Sequence, residues 1–511
     1  MERTASLQDR VLQLPLFLLM FGVASLAMLV PAIHGGVIRE LPTARAFLYS
    51  AVLGIVLFGL IALAHAGRAP RHGTLGPLMS LFAAYTFLPA FLAVPFYEGL
   101  GTTSFLNAYI EMVSSFTTTG ATLFDMPGRL NDTLNLWRAQ VGWMGGLLMW
   151  IAASAILAPL NLGGFEVTAR AEPGRYDERN MRFQHPEGRA RLVKVSKALV
   201  PIYVGLTILL WILLIAGGDR SLVALCHAMS VMATSGISPV GGASGAGSGI
   251  GGEMVMALFM LFALSRMTFS TDTVTSESGG LRHDPEFRIG IALVLGVPLI
   301  LFLRHFIGAI DIGEQDRLIA AGQALWGSVF TVLSFLTTTG FASAHWETAQ
   351  NWSGLATPGM ILMGLALMGG GVATTAGGVK LLRVFALYQA GLREMEKLVH
   401  PHSVGGGTSL GRRVLKGGAF IAWVFFMLFA ISIALVTTVL GALGVGFEAS
   451  MTMAVAALST TGPLLEWAGD APIRLQELGP AAKSVFAAAM VLGRLETLAI
   501  IALLTPDLWR G

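Results

Sequence analysis

The chain has 511 residues, 54% hydrophobic and 12% charged, with a mean hydropathy of +0.70 and a formal net charge of +3. Soluble domains carry about 25% charged residues, so a water-soluble globule is excluded and an integral membrane protein is implied. Cys226 is the only cysteine, which excludes a disulfide within the chain and argues against zinc and iron–sulfur clusters.

Ten apolar stretches approach the roughly 20 residues that cross a bilayer core. The first two, 12–31 and 44–65, form a leading pair within residues 1–72. The apolar run from Leu14 to Ile33 exceeds the roughly 7–15 residues of a signal-peptide core, so a retained helix is expected. Arg68 and Arg71 follow, then a span at 75–96, a short amphipathic segment at 103–116 and the tetrapeptide Thr117-Thr118-Thr119-Gly120. A span at 136–158 leads into a basic stretch, 161–197, with Arg170, Arg175, Arg179, Arg182, Arg189, Arg191, Lys194 and Lys197.

The order then repeats. Span 198–216 precedes a short segment at 221–233, the tetrapeptide Ala233-Thr234-Ser235-Gly236, a Gly/Ser-rich loop at 241–252 and span 252–270. After a loop at 271–286 with Arg282 come span 287–307, segment 322–336, Thr337-Thr338-Thr339-Gly340 and span 355–383. A second basic stretch, 384–416, with Arg393, Lys397, Arg412, Arg413 and Lys416, precedes span 417–440, segment 447–458, Ser459-Thr460-Thr461-Gly462 and span 481–504. The repeat boundaries expected from this order are 73–160, 198–270, 287–383 and 417–511.

The four glycines lie 116, 104 and 122 residues apart, a period that marks a structural repeat. The segments before them are too short to span and fit re-entrant half-helices. Excess Lys and Arg mark cytoplasmic loops; counting spans from the two basic stretches puts both termini inside and all four Gly hairpins outside. The same basic stretches also read as topology signals with no partner. The expected fold is an all-α integral membrane protein: four helix–pore-helix–helix repeats with pseudo-four-fold symmetry, a leading helix pair, about ten spans and four re-entrant pore loops.

An ion that crosses a membrane must exchange hydration oxygens for protein oxygens, and converging backbone carbonyls supply these without a trapping charge. Aiming consecutive carbonyls inward needs backbone angles that a Cβ resists, while Thr and Ser add a hydroxyl that coordinates or braces the loop from behind. Each half-helix would point its partly negative C-terminal end at the ion. These arguments select Thr118, Thr119, Gly120, Thr234, Ser235, Gly236, Thr338, Thr339, Gly340, Thr460, Thr461 and Gly462 as candidate ion ligands. The alternative for any one copy is a plain helix C-cap.

The segments Ser115-Phe116-Thr117-Thr118-Thr119-Gly120-Ala121-Thr122, Ser334-Phe335-Leu336-Thr337-Thr338-Thr339-Gly340-Phe341-Ala342 and Thr461-Gly462-Pro463 carry a family resemblance. So do Trp143-Met144-Gly145-Gly146, Thr375-Ala376-Gly377-Gly378-Val379-Lys380 and Gly493-Arg494-Leu495-Glu496. In these, and over nearly the whole chain, the sequence resembles the potassium-transporting subunits of the Trk/Ktr superfamily, closer to the Trk type because of its leading helix pair. The resemblance implies K⁺ as the transported ligand, with Na⁺ and Rb⁺ as further cargo candidates, and a bacterial cytoplasmic (inner) membrane location among membrane lipid. It also implies a homodimer and a cytoplasmic nucleotide-binding regulatory ring docked on 161–197 and 384–416. No nucleic-acid partner, bond-making chemistry or catalytically bound cofactor is expected. The second hairpin, Ser235-Gly236-Ile237-Ser238-Pro239, departs from the Gly-Gly-Phe-Ser form of bacterial relatives, as does Ser265-Arg266-Met267-Thr268 after it, which leaves K⁺ over Na⁺ preference open.

The eighth span holds five glycines between Gly369 and Gly378. At roughly 1 kcal/mol each relative to Ala, they predict a broken helix, or else close packing between helices. The family places a movable gating loop here. That makes Gly369, Gly370, Gly371, Thr374, Thr375, Gly377 and Gly378 gate candidates, together with Arg494, whose charge is expensive in an apolar run unless it meets water or a partner. Glu496 falls on another helix face, and Lys380 reads equally as a topology anchor. Asp125 and Glu466 follow the first and fourth hairpins, where they could gather cations or simply be solvated. The expected activity is channel-like K⁺ uptake. The alternative is a coupled K⁺ or Na⁺ symporter, which the shortage of acids on the half-helices, Glu111 and Glu448 being the visible ones, disfavours.

Overall fold

The computed structural model describes residues 14–65, 76–160, 162–167, 188–265, 284–307, 317–355, 357–400, 418–469 and 471–496. Among them every regular element is helical. The leading pair is α1 (Leu16–Val37) and α2 (Leu41–His65). Repeat 1 comprises α3 (Gly76–Leu100), α4 (Phe105–Phe116) and α5 (Asp132–Leu157). Repeat 2 comprises α6 (Gly188–Ala216), α7 (Ser221–Ala233) and α8 (Gly249–Met260), the last continued by a 3₁₀ turn to Leu264. Repeat 3 has α9 (Pro285–Ile307), α10 (Arg317–Leu336), a short α11 (Trp346–Ser353) and α12 (Pro358–Met368), followed by α13 (Leu381–Val399). Repeat 4 has α14 (Ala419–Ala442), α15 (Phe447–Leu458), α16 (Leu464–Trp467) and α17 (Pro480–Leu495).

Local chemistry sets several boundaries. The Ser104 hydroxyl accepts the Asn107 N–H at 3.3 Å to start α4, and the Asn131 side chain accepts the Leu134 N–H at 2.9 Å to start α5, each satisfying an otherwise orphaned helix donor. The outward face of α2, including Leu53, Leu60 and Leu63, is exposed and apolar, as contact with lipid requires.

Eight helices among the described residues are long and apolar enough to cross a membrane, and one of them, Ile319–Leu336, lies within α10. The third half-helix is therefore longer than its sequence segment suggested. Nothing from Arg317 to Gly322 breaks it, so helix simply propagates backward. The described helices of the sixth, eighth and tenth stretches are shorter than a full span: α8 with its 3₁₀ turn, α12, and α17, which stops at Leu495 where Glu496 takes a φ of 61°. Residues 497–504 of the tenth stretch, Arg266 to Thr268, most of the first basic stretch and residues 401–416 of the second lie outside the described residues.

The tertiary arrangement is a ring. Each of α4, α7, α10 and α15 packs on the first helix and the second helix of its own repeat. Each also packs on the second helix of the repeat before it: α5 on α7, α8 on α10, α12 on α15, and α17 back on α4. The last contact closes the circle and puts the four half-helices at its centre, where their Ser and Thr side chains avoid lipid.

Candidate ion pathway

The four hairpins begin alike. The residue two before each glycine takes a left-handed conformation: Thr118 (φ 55°), Thr234 (49°), Thr338 (57°) and Thr460 (53°). The next N–H caps the half-helix by reaching five residues back: Thr119 to Ser114 O (2.9 Å), Ser235 to Ser230 O (2.9 Å), Thr339 to Ser334 O (2.9 Å) and Thr461 to Ala456 O (2.8 Å). The C-cap and the hairpin, alternatives when read from sequence, are one structure: the cap turns the chain into the centre of the ring. A β-branched residue in left-handed backbone is costly, and its recurrence at four equivalent places marks a built feature.

The hydroxyls divide into two sets. Thr119, Thr339 and Thr461 are braced from behind by the residue two before each of them: Thr117 (2.8 Å), Thr337 (3.1 Å) and Ser459 (3.2 Å). Repeat 2 has Ala233 in that position, and Ser235 bonds Ser230 instead, at 3.2 Å. The left-handed threonines form the second set. Among the described residues Thr118 and Thr460 carry buried hydroxyls with no hydrogen-bond partner, while Thr234 and Thr338 meet another segment.

The hairpins touch in cyclic order. A Cβ on Gly120, whose φ is 73°, would stand 1.7 Å from the Ser235 carbonyl oxygen, and one on Gly236 would stand 2.4 Å from that of Thr339. A Cβ on Gly340 (φ 83°) would strike the Pro463 ring at 2.7 Å, and the Gly462 N–H donates to Thr119 O at 2.6 Å. All twelve candidate residues of the hairpins thus lie together, although Gly462 lacks the left-handed φ of its counterparts.

Residues 369–380 break the eighth stretch, as the glycine run predicts, and fold into a loop against the hairpins. The loop's neck is closed by Val379 N to Leu367 O and Lys380 N to Met368 O, both 2.9 Å. Its tip reaches three hairpins. Thr234 donates to the Thr375 hydroxyl at 3.1 Å, Gly377 N–H donates to the Thr338 hydroxyl at 2.8 Å, and a Cβ on Gly377 would stand 2.3 Å from Thr460 Oγ1. Arg494 Nη1 donates to Thr375 O at 2.6 Å from the end of α17. Gly369, Gly370, Gly371, Thr374, Thr375, Gly377, Gly378 and Arg494 are all in or against this loop. Thr374 bonds only within it, to Gly371 O at 2.7 Å.

The profile of the TrkH family, described as a cation transport protein, matches residues 99–508. The chain belongs to the TrkH family. It is 30% identical over 408 residues to the Trk system potassium uptake protein TrkH of Halomonas elongata, covering 79% of each chain, and 28% identical over 436 residues to that of Escherichia coli K12, covering 83% of this chain and 84% of the other. The crystal structure of the potassium transporter TrkH from Vibrio parahaemolyticus superposes with a TM-score of 0.79 at 24% identity, over 99% of this chain and 100% of that one. Membership in a transport family fits a multi-pass membrane protein with no catalytic role.

The partners of several charged residues of this TrkH-family chain escaped sequence reading. Lys380 is buried and its ammonium reaches Ala376 O within the loop, so it is no solvent-facing anchor. Glu496 pairs with Arg383 at 2.7 Å, not with Arg494, and Arg383 also stacks 3.6 Å from the Phe425 ring centroid. Glu111 is fully buried, pairs with Arg138 at 2.6 Å and accepts Leu123 N–H at 2.8 Å and the Thr122 hydroxyl at 3.0 Å, which pins the chain leaving the first hairpin. Glu253, on α8, does similar work at the third hairpin. A charge inside an apolar stretch is the signal that could have found Arg138 and Glu253. Beyond the hairpins, partial burial raises the pKa of Asp125 from its ordinary value, and Glu466 is raised by burial and then by the Asp125 charge.

Proposed function

We propose that this chain is the pore-forming subunit of a potassium uptake system and that K⁺ passes through the ring of four hairpins. The observation that carries the reading is the cyclic contact of four equivalent Thr/Ser-Gly turns, each delivered by a half-helix C-terminus. Carbonyls at such turns can replace a hydration shell. The cargo follows from relatives named as potassium uptake proteins. Residues 369–380, held by Arg494, act as the gate: the loop must leave Thr234, Thr338 and Thr460 before an ion passes. The repeats run 73–160, 198–270, 287–383 and 417–511. The subunit works as a homodimer in the bacterial cytoplasmic membrane, with termini inside and a nucleotide-binding ring docked on 161–197 and 384–416.

The test is rubidium uptake into sealed liposomes holding the purified protein, with K⁺ and Na⁺ as competitors, beside Gly340→Asp. Uptake blocked by K⁺ but not Na⁺, and lost in the variant, is the expected result. Equal competition by Na⁺ would move the reading to a nonselective or sodium-carrying pore. Uptake unchanged by Gly340→Asp would remove the hairpins from the pathway.

A further inference from the structure

The ninth residue before each filter glycine sits on the half-helix, and in three repeats it bonds the chain that leaves the hairpin. In repeat 1 it is Glu111, which holds Thr122 and Leu123. In repeat 2 it is His227, 2.8 Å from the Ser238 hydroxyl. In repeat 3 it is Thr331, which only accepts the Ser343 N–H, at 3.1 Å. In repeat 4 it is Met453, and there the chain coils at once into α16. Repeat 3 therefore lacks a carboxylate of its own where repeat 1 has one.

Glu253 supplies it from the neighbouring repeat. It projects from α8 and is 1% exposed. One oxygen accepts the Trp326 indole N–H and the Ser343 hydroxyl, both at 2.8 Å, and the other accepts the Ala344 N–H at 2.7 Å. These donors come from α10 and from the third and fourth residues after Gly340. Among the described residues no Lys, Arg or His forms an ion pair with Glu253, whereas Glu111 is paired with Arg138. A buried carboxylate is tolerated only when fully hydrogen-bonded or paired, and this one uses three donors that all belong to the third repeat.

We infer that Glu253 is a positioning residue for ion selectivity: it straps the outgoing limb of the third hairpin to repeat 2 and so sets the spacing of the ring at Gly340. This rests on the hairpins being the ion path. Fixing both limbs of a turn keeps its carbonyls at one separation, and a preorganised site discriminates between ions of different radius better than one free to relax.

The test is the liposome assay with Glu253→Gln, which keeps the shape but cannot accept on both arms, read as the ratio of Na⁺ to K⁺ concentrations that halve rubidium uptake. The ratio should fall by about tenfold, the lower end of what one lost hydrogen bond to a charged group is worth. Ser343→Ala should lower it in the same direction and add nothing on top of Glu253→Gln. A folded Glu253→Gln protein with the wild-type ratio, even with slower uptake, would overturn the inference. Should that variant fail to fold, Trp326→Phe and Ser343→Ala each remove one donor, and wild-type ratios in both would overturn it equally. Gly340→Asp separates the two levels: uptake surviving it sinks the pathway itself, while uptake lost there with an unmoved Glu253→Gln ratio sinks only the strap.

Discussion

Arg494→Ala should speed ion passage. The guanidinium holds the loop of residues 369–380 by a charge-assisted hydrogen bond, Nη1 to Thr375 O at 2.6 Å. Such a bond is worth roughly 1.5–3 kcal/mol, and each 1.4 kcal/mol is about a factor of ten in an equilibrium constant. If the loop alternates between seated and withdrawn states, the population of the withdrawn state should rise about 10- to 100-fold in the variant. The seated loop keeps its bonds to Thr234 and Thr338 in the variant, so the seated state persists. Removing the positive charge beside the path acts in the same direction. The assay is the initial rate of rubidium entry into liposomes at matched protein density, with Arg494→Lys as a variant that retains charge and loses the planar fork. A folded Arg494→Ala protein with uptake equal to or below wild type would refute the latch.

Two further outcomes follow from buried or crowded charges. Arg138→Leu leaves Glu111 buried and unpaired, which should cost about 3–5 kcal/mol and lower the thermal midpoint in detergent; the double variant Glu111→Gln/Arg138→Leu should recover at least half the loss, and equal midpoints for the two would contradict this. At the mouth, the raised pKa values of Asp125 and Glu466 mean that both gain protons as pH falls, earlier than an unshifted carboxylate would. Uptake from dilute rubidium should therefore decline on external acidification toward the carboxylate range, and Asp125→Asn/Glu466→Gln should flatten the profile; an unchanged profile would assign those carboxylates no part in gathering cations.

The membrane class, the four repeats, the position of each hairpin and the break between Gly369 and Gly378 were legible in the amino-acid sequence. These are local properties: hydropathy over about 20 residues, glycine's access to left-handed backbone, and the cost of glycine in a helix all act within a few turns of chain. The left-handed threonines extend that logic, since the same cap at the end of each half-helix produces the same turn.

Partnership was not legible. Sequence spacing paired neither Arg383 with Glu496 nor Glu253 with Ser343, and it left open which threonine hydroxyls brace the turn and which meet residues 369–380. Those answers depend on ring closure, which brings residues 90 to 113 positions apart into hydrogen-bonding distance. Length also misled at α10, where a half-helix is as long as a span. Periodicity reports which residues must be buried; only the tertiary packing decides against what, because a buried charge is stabilised by whichever donors the closed ring delivers to it.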